Sequence, residues 1–389
     1  MSSRGRRRAG YSRHNRVALV RGGREYFAAF EALILGAETS IQLQTYILEE
    51  DHTGLRMAAL LRKAAERGVS VYVLVDGYAS RGLSTAFREG LEASGIRFRY
   101  FEPLFRSDSL YIGRRLHHKI LVADASRALV GGLNISDRYN DMPGQPAWLD
   151  WAVLTEGEAA YELFLVCTLR WARRAATAAH LLREHPIPIA DASLDCPVRV
   201  RQNDWVNRKI QVTRSYAEML RTARTDVVIM SSYFLPGRGM LRALRRARAR
   251  GVRIRLVLAG MSDVALSKAA ERYLYRWLFR YGIEVFEYRP NVLHGKIAVR
   301  DQAWVTVGSY NVNILSAFAS VELNLDVDQP EFGRQVSAEL ERIMHEDCSA
   351  VTEQEYRIRY HLPHRILQWL SYECIRLVFF LFTFHFRQR

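Results

Sequence analysis

One string of residues occurs twice in this chain: His-x-Lys, four residues, Asp, six residues, then Gly-(Gly or Ser)-x-Asn. The first copy holds His117, Lys119, Asp124, Gly131, Gly132 and Asn134; the second holds His294, Lys296, Asp301, Gly308, Ser309 and Asn311. Residue types that each make up a few per cent of ordinary sequence rarely line up twice at one spacing by chance. The chain is therefore read as an internal duplication. Two copies of the motif supply two imidazoles, two ammonium groups and two carboxamides to a shared surface.

The flanking segments repeat as well. Ser40–Leu48 and Asp226–Leu235 read as strands, followed by helices over Met57–Arg67 and Met240–Arg250. Gly68-Val69 and Gly251-Val252 then lead into strands Val71–Val75 and Ile254–Leu258, which end at Asp76-Gly77 and Ala259-Gly260. A short strand after Gly95 matches one after Gly282, and Tyr46 and Tyr233 fall at equivalent places. Alternating strands and helices with apolar strand runs predict an α/β fold, with mixed sheets flanked by helices in two tandem domains. The motif itself reads as a strand, in which His and Lys, two residues apart, share one face. His118 then belongs to the opposite face. Glu156–Arg183 reads as a long helix ending near His185-Pro186-Ile-Pro188, a natural linker. The expected division is a basic arm over 1–16, a first domain over 17–184, a linker over 185–200, a second domain over 201–350 and a tail over 351–389.

These groups suit displacement at a phosphodiester phosphorus. An anionic nucleophile is repelled by a phosphodiester unless cations stand beside it, and a metal ion often supplies that charge. No carboxylate cluster accompanies the histidines, so Lys119, Lys296, Asn134 and Asn311, with Ser309, are expected to meet the phosphate oxygens instead. No metal and no cofactor is implied. One imidazole can attack phosphorus while the other protonates the departing alkoxide and then activates the incoming alcohol or water. The residues alone allow either order. Asp124 and Asp301 complete the motif and are counted with its catalytic set, although their place at the turn suits hydrogen bonds to backbone.

The duplicated motif resembles that of the phospholipase D superfamily. From about Val17 to Ala350 the chain resembles bacterial cardiolipin synthases of the short B type, above all in residues 58–80, the Gly131-Gly-Leu-Asn134 return, and residues 233–260 and 286–296. The resemblance implies transfer of a phosphatidyl group from one phosphatidylglycerol to another, with release of glycerol. It assigns His117 as nucleophile and His294 as acid/base. It also implies an acidic residue about thirty positions beyond each motif histidine to orient it, here Asp150 and Glu322. Two positions depart from the family pattern: Asn313 stands where an Asp is common and Ser320 where an Asn is common. Both departures bear on the acceptor alcohol more than on the reaction type. A hydrolytic phospholipase D would share the intermediate and use water as acceptor. A nuclease fits the motif and the charge, but nucleases of this superfamily are often short single-motif chains that dimerise.

The formal net charge of +15 implies an anionic partner. The tail favours lipid over nucleic acid: Ile366–Phe386 is aromatic-rich and flanked by Arg365, Arg387 and Arg389. Gln368, Glu373, Arg376 and His385 interrupt it, which predicts an interfacial helix or hairpin rather than a span. The loop at residues 104–115 mixes apolar and basic residues and is a second candidate for lipid contact, and the arginine-rich start of the chain is expected to be attracted to anionic headgroups. Without a secretory signal or a span of membrane length, the expected place is the cytoplasmic face of the bacterial inner membrane, peripherally bound. The cysteines, Cys167, Cys196, Cys348 and Cys374, lack metal or redox spacing.

Overall fold

The computed structural model describes residues 10–103, 114–172, 179, 182, 191, 193–318 and 320–383. Residues 1–9, most of the 104–115 loop, the 185–190 part of the linker, and His180, His185 and His385 lie outside them. The first half carries β1 (Asn15–Arg21), β2 (Ser40–Thr45), β3 (Ser70–Asp76), β4 (Arg97–Phe101), β5 (Arg115–Leu116), β6 (Ile120–Ala123), β7 (Arg127–Gly131) and β8 (Trp151–Gly157). The second carries β9 (Val198–Asp204), β10 (Lys209–Ile210), β11 (Asp226–Ser231), β12 (Arg253–Ala259), β13 (Glu284–Tyr288), β14 (Lys296–Arg300), β15 (Trp304–Gly308), β16 (Ser320–Asp328) and β17 (Cys348–Val351).

The two sheets repeat one topology. The first runs β1-β8-β7-β6-β2-β3-β4, and the second runs β10-β9-β16-β15-β14-β11-β12-β13-β17. In each, three parallel strands (β2-β3-β4 and β11-β12-β13) adjoin an antiparallel set that begins with the motif strand, β6 or β14. The parallel strands are joined by the expected helices, His52–Glu66 and Arg238–Ala249. The long helix predicted from Glu156 is described as Glu158–Ala172.

One apolar core joins the halves. Ile120, Val130, Trp151 and Val153 from the first sheet pack with Met230, Ile297, Val307, Leu323 and Leu325 from the second. Helix Glu158–Ala172 adds Leu163, Phe164 and Cys167, and helix Pro330–Glu346 adds Phe332, Val336 and Leu340. Each such side chain removed from water contributes about 1.5–3 kcal/mol, so a shared cluster of this size ties the sheets into one body.

Asp124 and Asp301 serve the turns after the motif strands. Asp124 accepts from the backbone N–H groups of Glu38, Thr39 and Ser40 and from the Thr39 hydroxyl. Asp301 accepts the same set from Arg224, Thr225 and Asp226. Both residues have positive φ, 53° and 49°, a conformation that Asp tolerates better than most side chains. Each also sits five residues from its lysine, about 16 Å along an extended strand. The two carboxylates tie the motif strand to its neighbour, and the backbone donors hold both below the usual carboxylate range against the opposing effect of burial. Asp301→Ala should cost about 1–3 kcal/mol in urea unfolding and leave the folded enzyme's turnover within about twofold. Lost turnover at unchanged stability would return Asp301 to the chemistry.

Candidate active site

Each motif histidine is held by the opposite half of the molecule. Strand β5 of the first half pairs in parallel with the start of β16, Leu116 against Val321. The His117 N–H then donates to the Val321 carbonyl at 2.9 Å. The mirror arrangement occurs across the pocket, where Leu149 bridges Leu293 and the His294 N–H donates to the Leu149 carbonyl at 2.7 Å. Val321 and Leu149 immediately precede Glu322 and Asp150. The same exchange therefore delivers each carboxylate to the other half's ring: His117 Nδ1 lies 2.8 Å from Glu322 Oε2, and His294 Nδ1 lies 2.5 Å from Asp150 Oδ2.

The carboxylates are themselves fixed. Both are fully buried. Asp150 Oδ1 accepts from the Trp151 N–H at 2.8 Å, and Glu322 Oε2 accepts from the Ser309 hydroxyl at 2.5 Å. The Gly/Ser difference between the motif copies follows from this. A Cβ at Gly132 would lie 2.4 Å from both Asp150 oxygens, while the longer Glu322 leaves room for Ser309 to donate to it.

The lysines stand beside the rings. Lys119 Nζ donates to the His117 carbonyl at 2.9 Å; Lys296 Nζ donates to the His294 carbonyl and lies 3.5 Å from Asp150 Oδ2. Burial lowers the affinity of all four groups for protons. Lys119 falls to about 7, with Lys296 lowering it further and Glu322 opposing; Lys296 is lowered as well, against Asp150 and Glu322. His294 falls to about 4, through burial and then Lys296, with Asp150 opposing. His117 is lowered by burial, against Glu322. Each ring also feels the lysine of the other half, which puts both motif copies in one electrostatic pocket.

The carboxamides anchor loops at the pocket. Asn134 accepts from the Ile47 N–H and donates to the Tyr139 hydroxyl at 2.8 Å, and Asn311 accepts from the Ser232 hydroxyl. His118 lies on the opposite strand face as expected, its Nδ1 3.1 Å from Gln44 Oε1. Asn313 caps the short helix Ile314–Phe318 through a bond from the Ser316 N–H.

Several groups escaped the sequence reading. Tyr139 and Trp148 flank His294, with ring centroids 5.1 Å and 6.0 Å away, whereas Tyr46 lies edge-on to His117 at 4.9 Å. Trp148 stands two residues before Asp150, a signal available in the sequence. Buried Asp76 accepts from the Leu116 N–H at 2.8 Å and so fixes the residue before His117. Its counterpart is Ala259, and that mismatch between the copies was the available clue.

Two facing imidazole–carboxylate pairs with a lysine beside each, in tandem domains of this topology, define a phospholipase D-like enzyme. The model of the family described as cardiolipin synthase, PLD-like domain, matches twice, over residues 30–144 and 216–344. Cardiolipin synthase B of Escherichia coli strain K12 is 36% identical over 341 residues, which cover 87% of this chain and 83% of that one. Cardiolipin synthase B of Salmonella typhimurium is 36% identical over 357 residues, 89% of this chain and 84% of the relative. The chain belongs to the PLD-like cardiolipin synthase family, and it is an enzyme of that phosphatidyltransferase type. The phosphatidylserine synthase of Haemophilus influenzae shares the fold, with a TM-score of 0.73 at 16% identity over 93% of this chain and 94% of that one.

Sulfate keeps its double charge between pH 6 and 9, so competitive inhibition by sulfate reports the charge on the pocket lysines. A lysine titrating near 7 is cationic below that pH and neutral above it. Sulfate inhibition of the wild type should therefore weaken by about tenfold across that range as pH rises, and in Lys119→Met it should be weak and nearly flat. A wild-type inhibition constant independent of pH would contradict this assignment.

Proposed function

We propose that the protein makes cardiolipin from two phosphatidylglycerols and releases glycerol, through a covalent phosphatidyl-histidine. The observation that carries the proposal is the pair of imidazoles at the seam between the halves, each with Nδ1 engaged by a buried carboxylate of the other half, which assigns Nε2 as the reacting atom. His117 Nε2 attacks the phosphorus of the first phosphatidylglycerol. The P–O bond to the headgroup glycerol breaks, and that oxygen takes a proton from His294. In the second step the P–N bond breaks as a hydroxyl of the second phosphatidylglycerol bonds to phosphorus and returns its proton to His294. Lys119, Lys296, Asn134 and Asn311 are assigned to the oxygens that gain charge, whereas the Ser309 hydroxyl is spent on Glu322. Asp150 and Glu322 hold the tautomers as a triad carboxylate does.

Phosphatidylglycerol in detergent micelles, with or without EDTA, should yield cardiolipin and glycerol in equal amounts. Phosphatidic acid as the sole product would reassign the enzyme to hydrolysis. His117→Ala and His294→Ala should each lose at least about a thousandfold in turnover. Mass spectrometry of quenched enzyme should find the phosphatidyl adduct on His117; an adduct on His294 would reverse the two roles.

Peripheral binding to the cytoplasmic face of an anionic membrane is part of the same proposal, and the C-terminal helix Leu362–Thr383 supports it. Gln368 and Ser371 are buried among its described residues, and Tyr372 and Ile375 pack against Ala270 and Leu274. Ile366, Leu367, Trp369, Leu370, Leu377 and Val378 face outward. No helix among the described residues is long and apolar enough to cross a membrane. An outward apolar stripe beside Arg365 and Arg376 suits the lipid interface. Trp369→Asp with Leu370→Asp should lower flotation with phosphatidylglycerol vesicles more than tenfold, given about 1.5–3 kcal/mol for each large apolar side chain buried, and turnover on micelles should stay within about twofold. A parent protein that does not float with vesicles would remove the helix from this role.

A further inference from the structure

Tyr46 and Tyr233 follow the equivalent strands β2 and β11 but are not equivalent as the sequence suggested: Ser40 and Asp226 each accept from the N–H of the motif Asp, which matches Tyr46 to Ser232 and Tyr233 to Ile47. Tyr46 lies against the His117 ring, but the Tyr233 hydroxyl donates to Asp263 Oδ1 at 2.5 Å. Three residues beyond Gly260, Asp263 corresponds to Ser80, three beyond Gly77. The Ser80 hydroxyl is spent on backbone, donating to the Tyr46 carbonyl and accepting from the Leu48 N–H. The first half thus has no carboxylate at that place.

Asp263 is exposed, and its second oxygen has no partner among the described residues. Its charge reaches Lys296 and Tyr139, both on the His294 side of the pocket. Tyr233 in turn lies within electrostatic reach of Tyr139 and Tyr46, and burial together with Asp263 holds its phenol protonated. β11 ends with Ser231 paired to Lys296, and the Ser232 hydroxyl donates to Asn311, so Tyr233 and the Asp263 it holds stand beside the second motif. The groups assigned to the phosphate are cations or neutral donors. A carboxylate at the rim repels phosphate but accepts hydrogen bonds from hydroxyl groups. The departing and the incoming alcohol both pass His294, so one subsite serves both.

We infer that Asp263, positioned by Tyr233, selects the alcohol by accepting hydrogen bonds from the free hydroxyls of a glycerol-type polyol. This inference rests on the phosphatidyltransferase reading and specifies which alcohols that reaction accepts. A carbon chain of two or three atoms separates the reacting oxygen of such a polyol from its other hydroxyls, which lets one end meet His294 while the other meets the carboxylate.

The test uses the full-length enzyme with phosphatidylglycerol micelles and three competing acceptors: labelled glycerol, ethanol and ethanolamine. Exchange of labelled glycerol, formation of phosphatidylethanol and formation of phosphatidylethanolamine are measured together, with release of phosphatidic acid as the internal reference. The wild type should prefer glycerol to ethanol. Asp263→Ala should reduce that preference about tenfold while phosphatidylethanol formation stays within about threefold, and Asp263→Asn, which keeps one acceptor oxygen, should fall between them. An unchanged glycerol-to-ethanol ratio overturns the inference, and so does equal loss of all products, which would assign Asp263 to the fold. A wild-type preference for ethanolamine that Asp263→Ala abolishes would show selection of a cation and overturn the polyol assignment. Failure of the wild type to transfer to any alcohol would instead strike the phosphatidyltransferase reading itself.

Discussion

The structure depends on an exchange of backbone between the two halves. Leu116 runs beside Val321 and Leu149 beside Leu293, so each histidine hangs from the residue that precedes its carboxylate partner. A main-chain bond and a ring bond reach each histidine from the other half. Neither half alone could orient its own imidazole. The apolar cluster between the sheets keeps the exchange in register, because any slip of one sheet over the other would break both ring contacts at once. It also removes Asp150 and Glu322 from water, a cost offset only where hydrogen bonds and cations meet their oxygens.

Duplication supplies matching positions, and divergence then makes the two sides different. Asp150 with Gly132 and Glu322 with Ser309 are two solutions to the same distance: a shorter acid needs an empty Cα, and a longer acid admits a hydroxyl donor. His294 sits between Tyr139 and Trp148, and His117 against Tyr46. Asp76 braces the approach to His117, while the matching strand ends in Ala259. Two rings of identical chemistry thus acquire distinct surroundings, which fits the proposed division of labour between a nucleophile and an acid/base.

Much of this was legible before any coordinates. The repeat exposed two equivalent sheets, and the order of strands and helices follows from apolar runs punctuated by Gly68 and Gly251. The strand reading put His118 on the face away from the reacting groups, where it bonds Gln44. What escaped were facts set by packing between distant segments. Asp150 and Glu322 stand at suitable spacing, but spacing within a half says nothing about which histidine each one meets. The short strand Arg115–Leu116 is too brief to carry a period and exists because β16 of the other half accepts it. In the C-terminal helix the polar Gln368 and Ser371 turn inward, Gln368 accepting from the Tyr356 hydroxyl, and so the apolar residues face out. Hydropathy alone would have turned that helix over.

Charge counting in the pocket connects the geometry to the chemistry. Asp150 and Glu322 carry two negative charges and Lys119 with Lys296 up to two positive ones, while both rings are poised to be neutral. The pocket is therefore close to neutral overall, and burial lowers the proton affinity of both lysines against the opposing pull of Asp150 and Glu322. A phosphodiester brings one negative charge into that low-dielectric space. An opposite charge at close range raises the proton affinity of its neighbours, so the arriving phosphate favours full protonation of both lysines and one proton on an imidazole. In the proposed reaction that proton is the one the departing alkoxide needs: the substrate's charge generates the acid that its cleavage consumes, and a pocket that stays neutral until then avoids holding unpaired cations away from water.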